Sequence, residues 1–101
     1  MGRYILSDKA AADLSSLWDG YTERGGSEES ANRLVDELLG VFQDLADFPN
    51  IGTPRDYLSD EALAFPHKRY MVYYEKREYG VEIVQVLYGG IDLESHFSSQ
   101  D

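Results

Sequence analysis

Residues 69–90 read RYMVYYEKREYGVEIVQVLYGG, and this stretch decides the fold. It predicts a strand, a turn and a second strand. Tyr70, Met71, Val72, Tyr73 and Tyr74 make the first run, and Val81, Ile83, Val84, Val86, Leu87 and Tyr88 the second. β-Branched and aromatic side chains of this kind suit a pleated, partly buried surface. Glu75 to Gly80 between them is charged and ends in glycine, which predicts an antiparallel hairpin with a connection longer than two residues. Apolar residues occupy both parities in each run. The hairpin is therefore expected at the centre of a sheet, with helices over one face and the other face only partly wet.

Upstream of the hairpin, Ala62 to Phe65 predicts a short strand ending at Pro66, since proline suits a strand terminus or edge. Asn50 to Asp60 (NIGTPRDYLSD) reads as a loop, marked by Gly52, Pro54 and Ser59-Asp60. Two helices precede it. Ser7 can cap the first, with Asp8 at the positive end of its dipole; Leu14, Leu17, Trp18 and Tyr21 recur at helical spacing, and Arg24, Gly25 and Gly26 close it. Ser27 caps the second, with Glu28 and Glu29 in its first turn. Ala31, Leu34, Val35, Leu38, Phe42 and Leu45 form its apolar stripe, and Pro49 stops it. Arg3 to Leu6 predicts an N-terminal strand. The order is strand, helix, helix, strand, strand, strand. That is an α+β fold, an antiparallel helical hairpin packed on one face of a sheet that contains a three-stranded antiparallel meander. Residues 1–101 form one expected domain, with 98–101 a frayed tail.

The chain of 101 residues is 43% hydrophobic and 13% aromatic, which fits one globular core. It has no cysteine, so thiolate chemistry and disulfide scaffolds are excluded, and a reducing cytoplasmic setting is compatible. No segment has the length and apolarity of a bilayer span or an export leader. Nine Lys and Arg stand against nineteen Asp and Glu, a net charge of −10, which argues against an extended nucleic-acid-binding surface. The charge is uneven. Arg55, Lys68, Arg69, Lys76 and Arg77 cluster in the sequence, whereas residues 27–48 carry Glu28, Glu29, Asp36, Glu37, Asp44 and Asp47 against Arg33 alone. A solvated acidic helix face beside ordinary strand-end cations explains this; a local basic patch on an acidic body is the sharper alternative.

Four segments, YILSDKAAADL, LADFPNIG, KRYMVYYEK and VEIVQVLYGGID, in this order and spacing, resemble the RelE/ParE superfamily of toxins from type II toxin–antitoxin systems. The resemblance covers nearly the whole chain. RelE-type members cut mRNA in the ribosome, which calls for a base, an acid and cations for the phosphate charge that develops. The last strand of the family commonly ends in a histidine, then an arginine and an aspartate. Here Tyr88 stands for the histidine and Ile91 for the arginine, and Asp92 keeps the pattern. The missing cation and the −10 charge favour the ParE-like branch, whose members are similar in fold, lack the nuclease set and typically poison DNA gyrase.

The resemblance implies a non-catalytic, cytoplasmic gyrase inhibitor that arrests growth, held in check by a ParD-like or related antitoxin, in a toxin–antitoxin hetero-oligomer. It implies no cofactor, no metal, no membrane and no direct nucleic-acid contact. Arg55, Lys68, Arg69, Tyr88 and Asp92 are the candidate target-binding residues. Leu14, Trp18, Tyr21, Tyr70 and Tyr74 are the candidate antitoxin contacts, although core packing is the better explanation of Trp18 and sheet packing accounts for at least half of the sheet tyrosines. Antitoxin tails anchor apolar side chains in grooves or add a strand to an edge, and the acidic second helix favours a tail bearing Lys or Arg. Two alternatives remain open. One is a ribosome-dependent endonuclease using Arg55, His67, Lys68 and Arg69; the other is a family member that binds antitoxin without toxicity. For Arg69, which stands next to Lys68, the simpler explanation is a strand-end salt bridge, for instance to a helix glutamate. His67 and His96, the only histidines, show no metal-ligand spacing with Asp92 or Glu94.

Overall fold

The computed structural model describes residues 2–55 and 61–88. Strand β1 (Arg3–Leu6) leads into helix α1 (Asp8–Glu23) and helix α2 (Glu28–Asp47); β2 (Thr53–Pro54), β3 (Ala62–His67), β4 (Tyr70–Arg77) and β5 (Gly80–Tyr88) follow. They form one five-stranded sheet of order β1-β5-β4-β3-β2, with β1 parallel to β5 and all other neighbours antiparallel. The expected α+β fold with its helical pair and meander is present. Ser59-Asp60, Gly89-Gly90, Asp92, His96 and the expected frayed tail lie outside the described residues.

Both helix starts follow from the sequence. The Ser7 and Ser27 hydroxyls accept from the N–H groups of Ala10 and Ser30, each at 3.0 Å, which satisfies a backbone donor that the first helical turn leaves open. Ser7 does more. Its Oγ–H donates to the Val84 carbonyl at 2.7 Å and its N–H to the Ile83 carbonyl at 3.0 Å, so the cap of α1 is also its joint to β5.

Leu34, Leu38, Val41, Phe42 and Leu45 of α2 pack on Leu63, Tyr70, Val72, Tyr74, Val81, Ile83 and Val86 of the sheet. α1 adds Ala10 and the partly buried Leu14, Leu17 and Tyr21. Tyr4 of β1 meets Phe42 edge-on, with ring centroids 5.6 Å apart. Trp18, expected in the α1 stripe, is not in the core. It lies half-exposed on the seam between the helices and donates its indole N–H to Asn32 at 2.8 Å.

The mixed parity of the central hairpin has two causes. Tyr73 pairs Gln85 while Tyr74 pairs Ile83, so Val84 is an extra residue, a β-bulge. The bulge switches the parity of β5, and Val81, Ile83 and Val86 all reach the core. In addition, Ala64 and Tyr73 are buried on the face away from the helices.

Three sequence expectations need correction. The β4–β5 connection is two residues long, Glu78-Tyr79, because β4 continues through the charged segment to pair Arg77 with Gly80. Glu75 and Glu82 stand directly opposite each other, a destabilising arrangement that Arg77 relieves by binding them at 2.9 and 2.7 Å. The loop after α2 contains a short strand, β2, paired to Leu63 and Ala64 at the edge of the sheet. Finally, β3 runs through Pro66 to His67, since β2 does not pair with that part of β3.

Two close approaches lock this frame. Gly80 takes φ +147°, and a Cβ there would lie 2.1 Å from the Arg3 carbonyl oxygen, so only glycine lets β1 lie against the turn. Tyr74, fully buried, donates its hydroxyl to the Pro49 carbonyl at 2.8 Å and accepts the Gly52 N–H at 2.9 Å, which pins the exit of α2 to the sheet. Gly80→Ala is expected to cost about 3 kcal/mol or more, from backbone strain together with displacement of β1. Tyr74→Phe should cost about 1–2 kcal/mol, since it strands two loop groups in a buried site. Urea or thermal unfolding of the two variants measures both, with the first the larger.

Candidate functional site

The β3–β4 turn sends two adjacent cations in opposite directions. His67 pairs Tyr70, which leaves Lys68 and Arg69 as the turn, and Lys68 takes φ 55°, a conformation uncommon for any residue but glycine. Lys68 turns to α2 and binds Glu37 at 2.7 Å, where His67 also meets the same carboxylate oxygen at 3.1 Å. Arg69 turns the other way. With Tyr21 and Arg24 from the end of α1, and with Tyr70 and Tyr88, it lines a cavity of 430 Å³. A second cavity of 230 Å³ continues between α1 and β5, past Leu17 and Val86, to Asp13. The two share Arg24, Tyr70 and Tyr88 and so form one groove.

The floor of the groove is aromatic. The Tyr70 and Tyr88 rings lie 5.1 Å apart, inclined at 56°, and the Arg24 guanidinium sits 5.7 Å from the centre of the Tyr88 ring. Tyr70 is nearly buried, whereas Tyr88 is 57% exposed. Burial pushes the Tyr70 phenol up; nearby Arg24 opposes this, and the Tyr88 and Tyr21 phenols add to it, so three hydroxyls and one guanidinium gather here. Asp13 is the one carboxylate among the lining residues, and its oxygens are occupied by Lys9 and by the Val86 N–H, the latter at 2.9 Å. Neither Arg24 nor Arg69 meets a carboxylate among the described residues. No residue of the acidic helix α2 lines this groove.

The structure gathers some of the sequence-predicted site residues and separates others. Arg69, Tyr88, Tyr21 and Tyr70 share the groove. Leu14 packs partly buried against the core, Trp18 lines neither cavity, and Tyr74 is fully buried under the α2 exit, so as a surface contact Tyr74 is ruled out by burial. Arg55 does not join the patch. Its N–H donates to the Ala62 carbonyl, which puts it at the opposite end of β3 from His67, roughly 16 Å of strand away. Lys76 and Arg77 lie at that far end too, bound to Asn50 and to Glu75 and Glu82. The hairpin register thus breaks up the basic patch, and Arg55, His67, Lys68 and Arg69 do not converge as a nuclease set. Asp92 lies outside the described residues.

Arg24 is not legible as a site residue in the sequence, where it marks only the close of a helix. Nothing local marks it, because its neighbours in the groove come from residues 69, 70 and 88.

The Glu37 carboxyl is held below the usual carboxylate range, first by Lys68 and then by His67. A carboxyl depressed in the folded state contributes stability above its unfolded pKa and loses it as pH falls through the folded value. Glu37→Gln is therefore expected to destabilise the chain near neutrality, with the gap to wild type closing as pH drops below about 4.3. Urea midpoints of both proteins from about pH 7 down to pH 3 check this.

Residues 4–93 match the family model described as "ParE toxin of type II toxin-antitoxin system, parDE". The chain is 31% identical over 101 aligned positions to Toxin ParE1 of Caulobacter vibrioides, covering 95% of this chain and 98% of that protein. Its fold is similar to that in a solved structure titled "Chromosomal ParDE TA system from P. aeruginosa", with a TM-score of 0.71 at 20% identity, over 87% of this chain and 96% of the other. With 90 of its 101 residues matched, this chain belongs to the ParE toxin family of type II toxin–antitoxin systems.

Proposed function

We propose that the chain arrests bacterial growth from the cytoplasm by binding and poisoning DNA gyrase, and that a ParD-like antitoxin neutralises it. Family membership supports the toxin class. The observation that carries the rest is the groove, which offers an exposed aromatic side chain, Tyr88, beside two arginines that meet no carboxylate among the described residues. Aromatic and arginine side chains are the groups on which protein–protein affinity most often depends. The candidate nuclease residues do not support a ribosomal cleavage site in the same way. Arg55 is far from the others, and His67 and Lys68 are both spent on Glu37. Among the described residues no helix is long and apolar enough to cross a membrane.

The antitoxin is expected on the same face. Tyr21 and Tyr70, proposed to meet it, share walls with Arg69 and Tyr88, proposed to meet gyrase. One bound segment would cover both sets, so neutralisation would follow from occupancy of the groove.

Induced without antitoxin, the chain should cause filamentation and a DNA-damage response, and the purified protein should inhibit gyrase supercoiling or trap cleaved DNA. Tyr88→Ala and Arg69→Ala should each weaken that inhibition by about tenfold while leaving the circular dichroism spectrum unchanged. Untouched gyrase combined with mRNA cleavage on translating ribosomes would overturn the proposal.

A further inference from the structure

We infer that the groove between α1 and the β4–β5 end of the sheet is a carboxylate clamp, and that its occupant is an acidic–apolar peptide segment of a protein partner. The inference deepens the proposed antitoxin contact and rests on that face being where the partner binds; it adds the chemistry that the segment must carry.

Charge complementarity is the first support. The chain carries −10 overall, yet Arg24 and Arg69 face one cavity and neither is neutralised by a carboxylate among the described residues. The other cations near this turn and along the hairpin are used differently: Lys68 is bound by Glu37, and Arg77 by Glu75 and Glu82. Asp13, which would repel an incoming acid, already has Lys9 and the Val86 N–H on its oxygens.

Geometry is the second support. The Arg24 guanidinium lies over the Tyr88 ring, 5.7 Å from its centre, which suits a cation–π contact and leaves the charge beside the cavity that Arg69 also lines. Two guanidinium groups suit a carboxylate, which can take paired N–H donors on both oxygens. Behind the arginines the groove turns apolar along Leu17, Tyr70 and Val86, in a space of 230 Å³ that would admit a leucine or phenylalanine side chain. A segment that places a glutamate or aspartate near such a residue satisfies both halves. A nucleic-acid strand does so less well, since a polyanion would meet the repulsion of the whole −10 body, whereas one or two carboxylates feel mainly the nearby arginines.

The test is a nuclear magnetic resonance titration of the full chain with four probes. These are acetyl-Glu-Leu-Leu-Glu-Phe-Leu-amide, the same hexapeptide with Gln for Glu, a twelve-nucleotide single-stranded DNA, and a peptide of the chain's own residues 89–101. The acidic hexapeptide should shift the amide signals of Arg24, Arg69, Tyr70 and Tyr88 and bind at least about threefold more tightly than the Gln form. Arg24→Gln combined with Arg69→Gln should erase that difference with the fold intact, and Arg24→Lys should restore only part of it. Equal binding of the Glu and Gln peptides would overturn the inference, as would tighter binding of the DNA or of the 89–101 peptide in the groove. Growth arrest on induction is scored separately. A toxic chain that shows no carboxylate preference loses this inference alone, and a non-toxic chain that shows it loses the proposed function alone.

Discussion

The parallel docking of β1 against the first half of β5 is the constraint on which the rest of the structure depends. Residues 3–6 pair with residues 80–83, more than seventy positions away, and the two backbones touch at Gly80 more closely than any side chain would permit. This long-range closure stands in for a direct crossover. It brings Ser7 beside Val84, so α1 must start over the bulge of β5 and run along the sheet from there. Beyond Ile83 no strand among the described residues covers the outer edge of β5. α1 covers it instead, and Asp13 takes the Val86 N–H that a neighbouring strand would otherwise have taken. The groove exists because a helix replaces a strand along that edge: a cylinder lying beside a twisted ribbon leaves space where its end parts from the sheet.

Much of this architecture was legible in the sequence because local chemistry encodes it. The serine caps, the α2 stripe and the β-branched runs of the hairpin each state their own structure within a few residues. The bulge was visible only as a symptom. Apolar residues on both parities announced that something broke the alternation of β5, but period-two reasoning could not say that Val84 was the extra residue. The short β4–β5 turn was hidden by its charges. Glu75 and Arg77 read as part of a charged turn until the register places Glu75 across from Glu82 and lets Arg77 bind both. β2 could not be read at all, since two residues containing a proline become a strand only because β3 offers them an edge.

The candidate site was half legible for the same reason. Arg69, Tyr70 and Tyr88 lie on the hairpin whose pairing the sequence implied, and Tyr70 stands opposite Tyr88 in the observed register. Arg24 and Tyr21 reach the groove only through the path of α1, which depends on β1. Conversely, Arg55 looked like part of a patch because it is near Lys68 in the chain, yet antiparallel pairing carries chain neighbours to opposite ends of the sheet. Sequence proximity is informative within a helix or across a tight turn and misleading across a meander.

The division of labour at the Lys68–Arg69 turn follows from these facts. Glu37 draws Lys68 toward α2 and, with His67, ties the turn to the helix that packs with the sheet in the core. The two-residue turn between the paired His67 and Tyr70 sets Lys68 at a φ that its own side chain disfavours, and Arg69 lies on the opposite side. An arginine presented by a tight turn loses less freedom on contact with another group than one carried on a mobile loop, so Arg69 is placed beside the groove at little entropic cost. The salt bridge to Lys68 is worth little as an isolated surface pair. What the turn achieves is that its two cations face opposite ways, one toward α2 and one toward the groove.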